Sequence, residues 1–482
     1  MPVSDKHPYY IKCQPKWSLV RDCCEGSQAV KQARNNTSNV SGTLESQQGS
    51  LYLPPPNPTD NSQENKHRYR AYVTRANFVN FTDSTKQAFV GMVFSKNPII
   101  ELPQQIAGMI EDVNGNGESV ESTAKRTLDE QLKCGRQGLL VDYPEVQMGL
   151  TLAQTAQINP FFKFYQSEDV INWKTKVYNG KIMMCMVVLK ECHEEPIDQF
   201  SSEKKDRYRV LMLNEDGYYI QRLYNEDDEL LIIDEEGNTD IYPRKADGSL
   251  WTEIPFIFIG AINNDSEPDK APLYDIAEVN IAHYRNSADY EESCFLVGQP
   301  TPVVAGLTQG WVDDNFKNGL EIGSRAVIPL PEGGSATLLQ ASPNQMPEQG
   351  MINKEKQMIQ IGAKIITDSG QAETAEAAKI RFAGQNSKLA TIVSNIEDAY
   401  KTAFQWALMF SGGDGDIVFT LNREFYDKAV DPQLIMAKIQ LLDRQVISTA
   451  DMRSYMRDAN IIASDRTDED IDDDLREVSP FA

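Results

Sequence analysis

Four histidines stand in the chain, His7, His67, His193 and His283, and no two share the HxxxH or HExxH spacing that sets two imidazoles on one helix face for a zinc ion. The seven cysteines form no CxxC pair, and Cys185, Cys192 and His193 lack the spacing of a zinc ligand set. Neither GxxxxGK[ST] nor GxGxxG occurs, so no phosphate-cradling loop is indicated, and there is no GxSxG nucleophile elbow. Asp112-Val113-Asn114-Gly115-Asn116-Gly117 matches the opening of a calcium loop. Such a loop needs a bidentate Glu at its twelfth position, where this chain has Thr123, so the stretch reads as a tight turn. With 71 Asp and Glu, carboxylate pairs are unavoidable and carry no signal of their own. His283, on a helix without an evident partner, reads as structural. The expectation is a protein that is not an enzyme, with no metal and no cofactor.

The 482 residues suffice for two to four domains, and the hydrophobic and charged fractions, 40% and 24%, are those of a globular protein. No apolar run of membrane-spanning length occurs, and the first residues lack the apolar core of a signal peptide. The expectation is synthesis in a cytoplasm, with free thiols. The net charge of −24 argues against a protein that reads DNA sequence through a basic patch. It leaves room for weak DNA contact, because an acidic wall repels phosphates and lets a duplex slide.

Read in order, residues 1–68 form an N-terminal arm, expected to be loose: a polar run from Ser27 to Gly49 is followed by Pro54-Pro55-Pro56. From Tyr69 the chain reads as a domain. Helices are expected over Gln104–Glu111 and Ser119–Leu132, closed by Gly135, then a buried strand over Gly138–Asp142. Antiparallel strands follow over Lys181–Glu191, Tyr208–Leu213, Tyr218–Tyr224 and Glu229–Asp234, with Asn214–Gly217 and Glu235–Asn238 as turns. Residues 191–270 hold 21 acidic and 8 basic residues, a net of −13. Trp251–Gly260 reads as another strand. A helix over Leu273–Val297 has its apolar stripe broken by Asn280, His283 and Glu291. It is expected to gain little on a core and to stand among similar neighbours. Residues 300–341 hold short strands at 302–306, 326–329 and 336–339.

A helix over Met351–Ile366, a break at Thr367–Gln371 and a second helix over Glu373–Phe410 come next. Leu389, Ile392, Val393, Ile396, Tyr400, Phe404 and Leu408 recur at helical period. The second helix would reach roughly 55 Å. Met351–Phe410 carries seven basic and six acidic residues, nearly neutral inside an acidic chain. A strand over Asp416–Leu421 and helices over 431–444 and 448–458 precede an acidic tail, Asp465–Glu477, expected to be partly disordered.

The order helix, β module, helix, short loop, long helix, terminal helices resembles the portal proteins of tailed bacteriophages. So do local stretches: Asn280-Ile281-Ala282-His283-Tyr284-Arg285-Asn286-Ser287-Ala288-Asp289-Tyr290-Glu291, Arg136–Pro144, Ile171-Asn172-Trp173 and Glu373–Ala377. They are similar to one portal branch long recorded only as a domain of unknown function. The resemblance spans about residues 69–460. It implies an α+β, ring-forming fold: a wing over 69–271, a first stem helix over 272–299, a clip over 300–342 and a second stem helix over 343–366. A tunnel loop over 367–374, a long wing helix and strand over 375–430, and a crown with acidic tail over 431–482 complete it.

The resemblance further implies a homo-oligomer, usually of twelve copies, at one capsid vertex of the virion, made in the bacterial host cytoplasm. Double-stranded DNA would pass through it without sequence specificity. Terminase large subunit, head–tail adaptor, tail, major capsid and scaffold proteins would be its partners, and no membrane is involved. Thr367, Asp368, Ser369, Gly370 and Gln371 would face the DNA, Lys354, Lys356, Lys364 and Lys379 would offer backbone contacts, and Gly384 would kink the long helix. The competing readings are another head–tail connector or minor capsid protein, and an enzyme with an unrecognised site in residues 160–260.

Overall fold

The computed structural model describes residues 2–33, 51–57, 59–144, 159–178, 180–233, 237–298, 301–315, 330–339, 345–366, 388–423, 425, 432–444, 446–458, 462 and 466–478. The fold is mixed α+β. Its first half runs α1 (Pro8–Glu25), α2 (Ser27–Gln32), α3 (Gln63–Arg75), α4 (Phe81–Val93), β1 (Ile99–Glu101), a 3-10 turn over Gln104–Ile110, and α5 (Val120–Cys134). Seven strands follow: β2 (Arg136–Asp142), β3 (Phe161–Tyr165), β4 (Val170–Tyr178), β5 (Lys181–Pro196), β6 (Ser202–Leu213), β7 (Tyr219–Tyr224) and β8 (Phe256–Gly260). The second half runs α6 (Tyr274–Gly298), β9 (Thr301–Ala305), α7 (Gln309–Asn315), β10 (Ser335–Leu339), α8 (Met346–Ile366) and α9 (Lys388–Ser411). It ends with β11 (Val418–Thr420), α10 (Pro432–Asp443), α11 (Thr449–Asp458) and α12 (Asp468–Val478).

The expected loose arm is corrected at once. Tyr10, Trp17, Val20 and Cys23 form a buried stripe on α1, which packs on α5 and α6. Tyr52 and Leu53, just before the triple proline, are buried too, and residues 63–68 begin α3, whose Ser62 hydroxyl accepts from Asn65 N at 3.2 Å. Most of the polar run, residues 34–50, lies outside the described residues.

Helix α5 presents Val120, Ala124, Leu128 and Leu132 to the core at four-residue spacing. Gly135 ends it at φ +70°, where a side chain is strained twice over, since a Cβ would also lie 3.0 Å from Lys270 O. The three-stranded antiparallel sheet β3-β2-β8 lies beneath α5 and α9. Beside it β4-β5-β6-β7 makes the expected antiparallel meander. One carboxylate joins the two sheets: Glu191 on β5 accepts from Lys163 Nζ (2.5 Å), Tyr165 Oη (2.7 Å), Arg209 Nε (2.8 Å) and Arg207 Nη2 (3.3 Å). Its own burial opposes ionisation, but the arginines and the lysine win and hold its pKa far below the carboxylate range.

Two expected strands differ. Over Glu229–Asp234 the expected strand shrinks to a single antiparallel bridge, Leu230 to Tyr224 of β7, with Leu231 N donating to Leu223 O, before Ile233 N turns to Asn238 O. The strand expected from Trp251 starts at Phe256, after Pro255, which has no N–H to give. Trp251 itself is fully buried against Phe410.

Helix α9 buries the periodic stripe named from the sequence. Tyr400 stacks on Phe419 of β11 at 4.8 Å, and buried Glu397 accepts from Leu421 N at 2.8 Å and pairs with Arg423. Strand β11 pairs antiparallel with β1. The acidic tail expected to be partly disordered instead contains α12. Thr467 and Asp470 cap each other, and Asp472 and Asp468 pair with Arg453 and Arg457 of α11. Acidic side chains in its first turn face the positive end of the helix dipole. No helix among the described residues is long and apolar enough to cross a membrane.

Candidate functional site

The candidate site is the pair α6/α8 with the β module between them. The two helices are antiparallel neighbours. Gly350 abuts Asn286, Glu355 meets His283 and Gly362 abuts Ile276, so positions rise on one helix as they fall on the other. Met358 is buried in the same seam.

The polar residues that interrupt the α6 stripe dock it on the body, which corrects the expectation that this helix gains little there. Asn280 Oδ1 accepts from Thr82 N (3.2 Å) and Thr82 Oγ1 (3.0 Å), and its Nδ2 donates to Val79 O (2.8 Å). All three groups belong to the start of α4, so one amide closes a buried helix end. Ser287 Oγ accepts from Asn77 N (3.1 Å) and lies 2.6 Å from Asn77 O, to which it donates. Arg285 Nε donates to Tyr52 O (2.8 Å), Tyr72 Oη to Asp289 (2.6 Å), and Arg75 pairs with Glu292 while lying over Phe295. His283 sits edge-on to Phe81, its Nε2 3.3 Å from Glu355 Oε1. Burial draws its pKa down, against the pull of Glu355. Buried side chains on α6 end at Ala288, and Phe295 and Leu296 are exposed beyond it.

At that far end β9 and β10 pair antiparallel over five residues, from Thr301↔Leu339 to Ala305↔Ser335. The short helix α7 was not foreseen. The expected strand at 326–329 lies outside the described residues.

The sequence-named residues are not gathered into one surface. Lys354 is half-buried and lies near Gly350 and His283 in the seam, whereas Lys356 is exposed. Two residues apart on a helix, they diverge by about 200°. Lys364 is in α8, but its side chain lies outside the description. Thr367, Asp368, Ser369, Gly370, Gln371, Lys379 and Gly384 all lie outside the described residues.

Other polar clusters resolve into internal joints. Glu130, Cys134 and Glu168 approach one another closely enough to suggest a cation site. Arg21 occupies it, donating to Glu130 Oε2 at 3.0 Å and to Glu168 Oε1 and Oε2 at 2.6 Å, while burial pushes the Cys134 thiol up. Its charge, placed on the apolar stripe of α1, was the sequence signal available for this joint. In the Asp112–Gly117 turn, Glu118 is held by Asn114 (2.8 Å), Ser122 (3.2 Å) and Arg126 (3.0 Å). Thr123 is buried and donates its hydroxyl to Val120 O. Arg136 is sandwiched between Trp173 (3.9 Å) and Phe258 (3.6 Å), and burial lowers its pKa to about 9.

Residues 272–411, from the start of α6 to the end of α9, match a family described as "Domain of unknown function (DUF4055)". No curated protein matches the chain in sequence. Among solved structures, a chain of the "Virion of native gene transfer agent (GTA) particle" aligns at 12% identity and a TM-score of 0.40, covering 80% of this chain and 92% of that one. A chain from the "Neck of empty GTA particle computed with C6 symmetry" aligns at 13% identity and 0.39, covering 80% and 89%. One from the "Neck of native GTA particle computed with C12 symmetry" aligns at 13% and 0.40, covering 80% and 93%.

Proposed function

We propose that this chain is a phage structural protein, the subunit of a portal. Copies close into a ring, twelve by analogy with the family it resembles, at one capsid vertex of the virion. The ring is the conduit for double-stranded DNA entering and leaving the head, and the platform for terminase, adaptor, tail, major capsid and scaffold proteins. One observation carries this reading. The α6/α8 pair is rooted in the body at one end by Asn280 and Ser287, carries a β module at the other, and keeps Phe295, Leu296, Met346, Ile352 and Ile359 exposed. An apolar helix pair rooted at one end gains by standing among copies of itself. The motif order from residue 69 to about 460 supports the same reading.

In it, α6 and α8 are the stem, residues 300–342 the clip, and Thr367–Gln371 the loop at the DNA. Lys356, with Lys364 and Lys379, supplies replaceable phosphate contacts, Gly384 bends the long helix, and residues 431–482 form the crown. Lys354, turned into the seam, positions α8 against α6. No catalytic step is assigned.

Native mass spectrometry tests the assembly: the proposal expects a multiple of the 54.2 kDa chain near twelve, and a monomer at micromolar concentration overturns it. Deleting Thr367–Gln371 should leave the ring intact and abolish DNA packaging. An unchanged yield of phage would remove the loop from this role.

A further inference from the structure

Strands β4 and β5 run on past the body. Strand β6 joins β5 only from Met186 onward, so Thr175–Tyr178 and Lys181–Met184 form a two-stranded overhang. Four residues of each strand carry it about 13 Å outward. Isolated two-stranded ribbons are marginal in water, and this one is exposed on both faces.

Strand alternation gives the faces different chemistry. The face that buries Trp173 in the body continues outward as Thr175, Val177, Ile182 and Met184, and there Val177 is 67% and Ile182 75% exposed. The opposite face carries Lys174, Lys176 and Lys181, all exposed, beside Tyr178 at 62%. Among the described residues no ion pair engages these three ammonium groups. Not one Asp or Glu occurs between Val170 and Lys190, in a chain of net charge −24.

The complement stands at the other edge of the same sheet. Just after β7, Glu226, Asp227 and Glu229 are exposed, and Leu230 and Ile232 follow at 39% and 68%. The acids there answer the lysine face of the overhang, and the two aliphatics answer its Val177/Ile182 face.

We infer that the β4–β5 overhang of one copy docks on the Glu226–Ile232 segment of the next copy. Because the two patches differ and occupy opposite edges, the contact is head-to-tail, the type that closes rings. The inference rests on the ring reading and deepens it by naming a subunit contact. A DNA backbone would satisfy the lysines but would leave Val177 and Ile182 in water, so a protein surface fits better.

The test is a charge exchange in the full chain. K174E/K176E/K181E should raise the concentration at which the ring dissociates by about tenfold to a hundredfold, measured by analytical ultracentrifugation. Adding E226K/D227K/E229K should restore it. As a second measurement, Ile182→Cys with Ile232→Cys, in a chain with Cys192 and Cys294 replaced by Ser, should give inter-subunit disulfides on oxidation. If the wild type forms rings and the lysine triple variant forms them equally well, the docking is wrong and the ring reading stands. If the triple variant weakens binding to a short DNA duplex instead, and the acidic reversal restores nothing, the overhang is a DNA contact and the inference fails. A wild type that never assembles overturns both.

Discussion

Replacing Asn280 by Ala removes one side chain that bonds three groups of the α4 start. Thr82 N–H and Thr82 Oγ1–H, both buried, lose their acceptor, and Val79 O loses one of its two donors, keeping Phe81 N–H at 3.0 Å. A buried group left unsatisfied costs about 1–3 kcal/mol. The Thr82 hydroxyl can rotate toward another acceptor and Val79 O keeps the Phe81 N–H, so Thr82 N–H bears the full cost, and the loss is about 1–3 kcal/mol by the same rule. Asn280→Asp should be nearly as damaging, because it keeps the acceptor but sets a carboxylate oxygen 2.8 Å from Val79 O. Urea unfolding followed by tryptophan fluorescence reads the change as a lower midpoint. Limited proteolysis should show earlier cutting near α6. A midpoint shift worth less than about 1 kcal/mol, below the net value of even one such bond, would refute the claim that this amide roots the helix pair.

Glu191→Gln should destabilise the joint between the two sheets by about 3–5 kcal/mol, since Arg209, Arg207 and Lys163 lose their counter-charge. The carboxylate's pKa is depressed in the folded chain, so its contribution is complete above an unfolded value of about 4.3 and falls as pH drops toward the folded value. The acid side of the stability–pH curve should flatten in the variant, and an unchanged acid limb refutes the assignment. Gly260→Ala should disrupt folding, because a Cβ there would lie 1.8 Å from Asn263 O; wild-type thermal stability would contradict the tight loop. Lys356→Ala should lower the salt slope of DNA binding by the assembled ring by about one for each copy whose lysine touches the duplex, while Lys354→Ala leaves it unchanged. Equal effects would mean that both face the duplex.

Much of the fold was legible where a single period governed a long segment. The α9 stripe from Leu389 to Leu408 and the α5 face could be read directly, as could the meander strands flanking Asn214–Gly217. Errors arose where the partner lies far along the chain. Asn280 looked like a gap in an apolar stripe because Thr82 and Val79 are about 200 positions away. Trp17 and Val20 were diluted by Lys and Gln neighbours, so α1 was missed. The apolar run at 230–233 gave no visible reason for its pairing with β7 to stop after one bridge. Of the candidate site, the helix pair and the β hairpin were readable. The divergence of Lys354 from Lys356 was not used, although helix geometry alone implies it.

The central claim is that copies of this chain close around a channel. Electron microscopy of the purified full-length protein measures that directly. The account predicts end-on class averages of closed rings with a central opening, of one dominant symmetry near twelve-fold, with the α6/α8 pair lining the opening. Isolated monomers at micromolar concentration, or closed particles lacking a central channel, would contradict it.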